Sequence, residues 1–104
     1  MFQVNASDLK QQLQGCEIEW SLIELGKQIG SGSFGTVYRA SWRCSDVAVK
    51  LLSETGLENA TQDTLKTFRQ EVDFLYAIRH PNVIGFMGAV TSPVLCIVTE
   101  FCHR

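Results

Sequence analysis

The feature that most constrains this chain is a glycine array in which Gly30, Gly32 and Gly35 are spaced as G-x-G-x-x-G. A backbone that lies close against phosphate oxygens cannot carry a Cβ atom at every position, and it needs a conformational freedom that glycine has at low cost. The amide N–H groups of such a loop can point at anionic oxygens. The array therefore predicts a loop that covers the phosphates of a nucleotide.

The residues after the array distinguish two kinds of nucleotide-binding fold. A Rossmann dinucleotide-binding domain uses the same letters, but its last glycine runs into a helix. Here residues 36–42 are β-branched and aromatic, which favours a strand, and a further strand at 46–52 carries Lys50. The Rossmann alternative also needs an acidic residue about 20 positions on. Glu54 and Glu58 fall near that distance but lie in a predicted loop, so we interpret the array as the tip of a β-hairpin.

Hydrophobic patterning along the chain predicts an α+β fold. Alternating or apolar runs predict five short strands, at residues 23–30, 36–42, 46–52, 83–90 and 94–100. A helical pattern covers residues 61–80, and Pro81 is expected to end it. We therefore expect a five-stranded antiparallel sheet with one long helix packed on it.

Two charged residues are predicted to meet between the helix and the sheet. Strand alternation places Ala48 and Lys50 on one face of their strand. On a helical wheel Glu71 lies within about 60° of Phe68 and Leu75, inside the apolar stripe. A carboxylate on a core-facing stripe is costly unless it is paired. We therefore predict an ion pair between Lys50 and Glu71; the alternative is that Glu71 reaches solvent at the edge of the stripe.

The composition limits the classes of partner and compartment. The chain has 104 residues, of which 45% are hydrophobic and 19% charged, which suits one domain or part of one. Its formal net charge is −2, so neither nucleic acid nor an anionic membrane is expected as a partner. The four cysteines are scattered without a C-x-x-C pair, so we expect reduced thiols, no metal site and a cytoplasmic location. No apolar run is long enough to span a bilayer.

The first residues are interpreted as a segment outside the domain. Residues 1–16 are polar and rich in glutamine, and we expect them to form a leader before a domain at 17–104. Ser7 is the candidate N-cap of a short helix that Gly15 would end. We expect no chemistry from the leader, and we interpret Trp20, just after it, as a packing anchor against the sheet.

Several segments together resemble the N-terminal lobe of a protein kinase. The resemblance is stronger to one branch, the Raf-like members of the tyrosine-kinase-like group, as in plant Raf-like MAP kinase kinase kinases. It covers about residues 17–104. The segments that carry it are residues 17–20, 30–38, 45–50, 79–83, 86–91 and 97–101.

The resemblance implies ATP as the ligand and assigns roles by position. The glycine loop would cover the phosphates, Lys50 would bind the α- and β-phosphates, and Glu71 would hold Lys50; these two are the expected catalytic residues. Val37 and Ala48 would cap the adenine from above, and Thr99 would be the gatekeeper beside a back pocket. The residues expected to bind the nucleotide are Ile29, Gly30, Ser31, Gly32, Ser33, Phe34, Gly35, Val37, Ala48, Lys50, Thr99, Glu100 and Cys102, the last two through backbone groups of the hinge.

Other positions bear on regulation in such kinases. Leu75 and Phe86 would form the N-terminal part of the hydrophobic spine that ties the helix to activity. Arg79 matches a basic position where Raf kinases pair side by side, but the neighbouring basic residues are absent here, which argues against that mode of dimerisation. Gly85 stands where a large apolar residue is usual.

The 104 residues contain no H-R-D catalytic loop, no D-F-G and no A-P-E. In kinases these supply the aspartate that orients the substrate hydroxyl and the magnesium ligands. The resemblance therefore implies the ATP-binding lobe of a serine/threonine kinase that transfers the γ-phosphoryl group to protein hydroxyls, with Mg²⁺ bound only in the complete kinase. For these residues alone we expect weak ATP affinity and no turnover. The alternative is a non-catalytic module that docks to a partner kinase lobe through exposed apolar surface.

Overall fold

The sheet and helices follow the predicted order along the chain. The computed structural model describes residues 4–32, 35–77 and 85–101. It contains five strands, the long helix and, before them, the short helix expected ahead of Gly15. The elements are α1 (Ala6–Gln12), β1 (Ile23–Gly32), β2 (Gly35–Trp42), β3 (Ser45–Ser53), α2 (Gln62–Ala77), β4 (Phe86–Val90) and β5 (Leu95–Glu100), with short 3₁₀ turns at Trp20–Leu22 and Leu57–Asn59.

The five strands form one antiparallel sheet in the order β1-β2-β3-β5-β4. Alternation along β3 follows the predicted parity, since Val47 and Val49 are completely buried on one face while Leu52 packs on the other. The predicted fold class, a five-stranded antiparallel sheet with one long packed helix, is confirmed. The predicted end of the helix and the predicted start of β4 fall in residues 78–84, outside the described residues.

Each face of the sheet carries its own apolar cluster. The face that carries the helices is covered by the helix-side cluster: Val4, Leu9, Leu13, Leu57, Leu65, Phe68, Val72, Ala89, Leu95 and Ile97. The opposite face carries the outer cluster: Ile18, Ala40, Val47, Val49, Val90, Cys96 and Val98, with Trp20 packed against it as expected. Full burial of each Leu or Val side chain contributes about 1.5–3 kcal/mol, so both faces stabilise the sheet.

The residues expected to form a polar leader pack into the helix-side cluster. Leu9 is 2% exposed and Leu13 is fully buried. The helix cap differs from the prediction, because the Asn5 side chain accepts a hydrogen bond of 2.8 Å from the Ser7 backbone N–H. Ser7 is therefore a first-turn residue and not the cap. Gly15, the predicted stop, has φ +87° just beyond α1, a conformation that favours glycine.

The chain after α1 covers the β4 edge of the sheet. The Ala89 N–H donates to the Cys16 carbonyl at 3.0 Å, and the Ile18 N–H donates to the Ala89 carbonyl at 2.8 Å. A Cβ on Gly88 would collide with the Cys16 carbonyl oxygen and lie 2.7 Å from the Ile18 Cδ1 atom. Glycine at 88 therefore permits this close approach, which covers the edge of β4 at Ala89.

Candidate functional site

The glycine array lies where the sequence predicted it, at the tip of the β1–β2 hairpin. Gly30 pairs with Val37, and Gly32 pairs with Gly35. The tip itself, Ser33 and Phe34, lies outside the described residues. Gly30 and Gly35 occupy different environments. The fold requires glycine at one of these positions but not at the other.

Gly35 is required by the fold. Its φ is +135°, which L side chains rarely adopt, and a Cβ there would collide with the carbonyl oxygen of Leu51 on β3. The end of the hairpin therefore lies directly on the β3 backbone. That contact fixes the start of β2 beside the strand that carries Lys50.

Gly30 has no such requirement. A Cβ at this position would meet only the Val37 Cβ, at the ordinary contact distance of 3.9 Å, and its φ lies outside the left-handed region. Neither sterics nor backbone conformation within the described chain calls for glycine here. The free space at Gly30 is what a closely approaching ligand would need.

The predicted ion pair is present beneath the hairpin. The Lys50 Nζ donates a hydrogen bond to the Glu71 Oε1, and the two side chains are 31% and 29% exposed. Lys50 comes from β3, and Glu71 comes from α2 between the buried residues Phe68 and Val72. The carboxylate therefore does not escape to solvent, and the helix-wheel prediction of its partner is confirmed.

Cross-strand pairing gathers the predicted adenine-facing residues on the lysine side of the sheet. Val37 lies directly opposite Lys50, and Ala48 lies directly opposite Thr99. Residues that face each other across antiparallel strands project to the same face. Val37, Ala48 and Thr99 are each half-buried, so these side chains line a partly open surface next to the amine. Ile29, from β1, is 46% exposed.

Backbone hydrogen bonds fix the end of β5, where the sequence predicted the hinge. The Glu100 N–H donates to the Gly85 carbonyl at 3.0 Å, and the Phe101 N–H donates to the Asp46 carbonyl at 3.3 Å. Glu100 itself is exposed, while Cys102 lies outside the described residues. These bonds tie the end of β5 to both neighbouring segments, which orients the backbone that was expected to meet the adenine.

Sequence reasoning missed a charged cluster at this end. The Arg39 guanidinium lies 4.9 Å from the centroid of the Phe101 ring and 3.2 Å from the Asp46 Oδ2 atom. A cation over an aromatic face is attracted by the ring quadrupole. Strand parity offered the signal, because Arg39 pairs with Ala48 and therefore faces the same side as the proposed adenine surface.

One cleft of the described surface lies at a distance from the site. A cleft of about 360 Å³ is lined by α1, residues 56–59 and residues 91–93, away from the hairpin. Within residues 4–32, 35–77 and 85–101, no group of three or more His, Cys, Asp or Glu side chains could hold a metal ion. The described part of the candidate site is formed by half-buried side chains on one sheet face beside the glycine hairpin.

The comparison with known protein families decides the assignment. Residues 23–104 match the family described as protein tyrosine and serine/threonine kinase. The chain belongs to the protein kinase family. The match begins at β1 and includes the hairpin, Lys50, α2 and the end of β5, which are the elements that build the site.

Curated relatives are serine/threonine kinases. The chain is 49% identical over 90 residues to the probable serine/threonine-protein kinase SIS8 of Arabidopsis thaliana, covering 86% of this chain and 8% of that protein. It is 46% identical over 89 residues to the serine/threonine-protein kinase CTR1 of the same plant, covering 85% and 10%. The probable serine/threonine-protein kinase drkD of Dictyostelium discoideum is 45% identical over 89 residues, covering 85% and 7%. The chain therefore spans a tenth or less of the length of these relatives.

Within the described residues, no helix is both long and apolar enough to cross a lipid bilayer.

Proposed function

We propose that this chain is the ATP-binding lobe of a Raf-like serine/threonine protein kinase, which transfers the γ-phosphoryl group of ATP to protein hydroxyls. The observation that carries the proposal is the Lys50–Glu71 ion pair beneath a hairpin that leaves free space at Gly30. The kinase relatives support it, and the Raf-like assignment rests on the motifs that span residues 17–104.

The described residues fit a triphosphate at one end of the site. The Lys50 amine can donate hydrogen bonds to α- and β-phosphate oxygens, and Glu71 keeps that amine aimed at the cleft rather than at solvent. Backbone N–H groups of the hairpin can approach the phosphates closely because Gly30 and Gly35 carry no side chain. ATP supplies the phosphoryl group, and these side chains bind and orient it.

The other end of the site suits a flat, apolar ring. Val37 and Ala48 present small apolar side chains on the lysine face, Thr99 adds a short polar one beside them, and Ile29 extends the surface from β1. The small volume of Ala48 leaves room for the ring. Main-chain groups of Glu100 and Cys102 are the proposed hydrogen-bonding partners of the adenine edge. Ser31, Gly32, Ser33 and Phe34 complete the loop in this proposal.

Phosphoryl transfer needs further groups. An aspartate must orient the substrate hydroxyl, and Asp and Asn side chains must hold Mg²⁺. The 104 residues contain none of the motifs that supply them. We therefore assign to these residues the binding and orientation of ATP, and we assign the transfer step to the complete kinase.

Nucleotide titration of this chain tests the proposal. A fluorescent ATP analogue should bind weakly, and Lys50→Met should weaken binding at least tenfold because it removes the cation that meets the phosphates. Lys66→Met, at an exposed position on α2, is the matched control and should bind like the unmodified chain. Equal binding by all three chains would contradict the proposal. Turnover by this chain that Lys50→Met abolishes would contradict the assignment of the transfer step.

A second function, a non-catalytic module that docks to a kinase lobe, is favoured by exposed apolar side chains. Leu22, Leu25 and Ile29 are 56%, 42% and 46% exposed at the start of the sheet. Large exposed apolar residues that lie close together suit a protein partner. Co-purification with a separately expressed C-terminal kinase lobe, lost in a Leu25→Ser variant, would support this function. If the two do not co-purify, the docking function is contradicted and only the nucleotide-binding role remains.

A further inference from the structure

The N-terminal segment that contains α1 is attached to α2 by polar contacts at two points. Near the start of α2, the Gln62 amide makes a reciprocal pair with the Val4 backbone: the Val4 N–H donates to the Gln62 Oε1 at 3.0 Å, and the Gln62 Nε2 donates to the Val4 carbonyl at 2.9 Å. Farther along, the Gln12 Nε2 donates to the Asp73 Oδ1 at 2.7 Å. The two attachment points are about 16 Å apart along α2, at a rise of 1.5 Å per residue.

Both helices also contribute apolar side chains to one buried cluster between these points. Leu9 and Leu13 share the helix-side cluster with Phe68 and Val72. Phe68 lies one helical turn before Glu71, and Val72 follows Glu71 directly. The segment of α2 that presents the carboxylate is therefore anchored in the same cluster that α1 enters.

The other end of this N-terminal segment is fixed to the sheet. Hydrogen bonds from Cys16 and Ile18 to Ala89 attach it to β4, and the absence of a side chain at Gly88 allows the approach. Residues 4–18 thus connect the β4 edge to both ends of the α2 segment that carries Glu71. A movement of α2 relative to the sheet would have to break these contacts.

The ion pair is only one of the contacts that fix the position of α2. Its side chains are about three-tenths exposed, and ion pairs at such partly solvated sites contribute little, because solvent screens them and ordering two long side chains costs entropy. The apolar side chains of α1 are buried, and the Val4–Gln62 contact is reciprocal and partly buried, whereas the Gln12–Asp73 contact is exposed and adds a second attachment point. These contacts are therefore better suited to set the helix position, and the Lys50–Glu71 contact follows from that position.

We propose that the N-terminal segment, residues 4–13, is a positioning element that holds α2 where Glu71 reaches Lys50. Gln12 and Gln62 are positioning residues, since they act on the ion pair through α2 and touch neither of its members. The consequence for nucleotide binding rests on the function proposed above. The coupling between α1 and the ion pair does not.

Zero-length crosslinking measures the ion pair directly and needs no nucleotide. A water-soluble carbodiimide activates the Glu71 carboxylate, and the Lys50 amine then attacks it, so that an amide forms and a urea leaves. Mass spectrometry of tryptic peptides gives the yield of the crosslink. We expect the Gln12→Ala/Gln62→Ala double variant to reduce the yield at least threefold, and Gln11→Ala, the same substitution at an exposed neighbour on α1, to leave it unchanged.

Opposite charges at position 12 separate positioning from general destabilisation. Gln12→Glu places a carboxylate against Asp73 and should lower the yield, whereas Gln12→Lys keeps a donor to Asp73 and should retain it. Both residues favour helix, so α1 itself is preserved. Ile23→Val, which shortens a side chain packed against the outer cluster, should lower the melting temperature without lowering the yield.

The outcomes decide the inference independently of the proposed function. A reduced yield in the double variant and in Gln12→Glu, with normal far-ultraviolet circular dichroism, supports positioning even if no chain binds the ATP analogue. An unchanged yield in both variants overturns it. Equal losses in Gln12→Glu and Gln12→Lys, or a loss in Ile23→Val that matches its loss of stability, also overturn it, because these results would report destabilisation alone.

Discussion

The two edge strands of the sheet, β4 and β1, differ in how far the rest of the chain covers them. At the β4 edge, residues 16–18 add hydrogen bonds to the strand and α1 covers the adjoining face, so that Ala89 and Val90 are completely buried. At the other end of the sheet order, β1 carries register irregularities, and Leu25 and Ile29 are 42% and 46% exposed. Residues 16–18 cover part of one edge, whereas the described residues show β1 paired with β2 alone.

This contrast teaches where stability and function are placed in the lobe. The covered edge holds contacts between segments remote in sequence, from the N-terminal segment to β4 and to α2, and it anchors the helix that carries Glu71. The open edge carries the glycine hairpin and the surface proposed to receive ATP. Binding surfaces must stay accessible, so the apolar burial that stabilises the fold is concentrated at the opposite end.

A matched pair of leucine truncations tests the contrast most strongly. Leu13→Ala, in the covered region, should lower the free energy of unfolding by about 2–5 kcal/mol because it leaves a cavity in the helix-side cluster. Leu25→Ala, at the open edge, should change it by less than about 1 kcal/mol because that side chain is already largely solvated. Urea denaturation of both variants measures the difference, and similar losses would refute the contrast.

Two glycine substitutions are the next test of the contrast between the two edges. Gly88→Ala should cost about 1–3 kcal/mol, because its methyl group collides with the Cys16 carbonyl and Ile18. Gly30→Ala should leave the thermal midpoint nearly unchanged, because the methyl group meets only Val37 at contact distance, but it should weaken binding of the ATP analogue. A large stability loss in Gly30→Ala would show that the fold, and not a ligand, demands this glycine.

A smaller effect, in the stabilising direction, is expected from a substitution in the turn between β2 and β3. Arg43 and Cys44 have φ values of +51° and +64°, as the central residues of a type I′ turn do. Cys44→Gly should stabilise the chain by about 1 kcal/mol or less, since it relieves left-handed strain but increases the entropy of the unfolded chain. Ser45→Gly, one residue along, is the control and should not stabilise. A calorimetric midpoint that rises equally in both would contradict the assignment.

The smallest effect expected at neutral pH concerns the ionisation of the Cys96 thiol. Cys96 is buried, whereas Cys44 is exposed. Desolvation raises the pKa of the Cys96 thiol from 9.0 to about 12. The neutral thiol is favoured in the fold, so this contribution to stability is fully present below pH 9 and is lost as pH rises towards 12. Cys96→Ala should flatten the decline in stability above pH 9. Iodoacetamide should label Cys44 long before Cys96; equal rates would contradict the burial argument.

The central pair of the site was predictable because both of its members follow local periodicities. A period of two along β3 gives the face of Lys50, and a period of 3.6 along α2 gives the face of Glu71. The cost of an unpaired carboxylate within an apolar stripe then predicts their contact. The nucleotide-binding roles of the surrounding residues came from the family resemblance and remain proposals.

The N-terminal segment was not predictable in the same way. Its polar composition suggested a leader, yet Val4, Leu9 and Leu13 are core residues. Three apolar side chains among many polar ones give a weak pattern, and their value depends on a partner surface that forms only when α2 packs on the sheet. The reciprocal amide contact joins Val4 to Gln62 across 58 positions of sequence, a distance over which no local periodicity carries information.

The amino-acid sequence by itself determined the strands, the long helix, the hairpin and the pairing of Lys50 with Glu71, because each depends on which face of a regular element a side chain occupies. Only the tertiary structure decided that residues 4–18 close one edge of the sheet, that Gly88 is needed there, and that Arg39 meets Phe101. These features depend on the distance between elements that are remote in sequence. That distance is set by how the side chains of both pack together, and it exists only in the folded molecule.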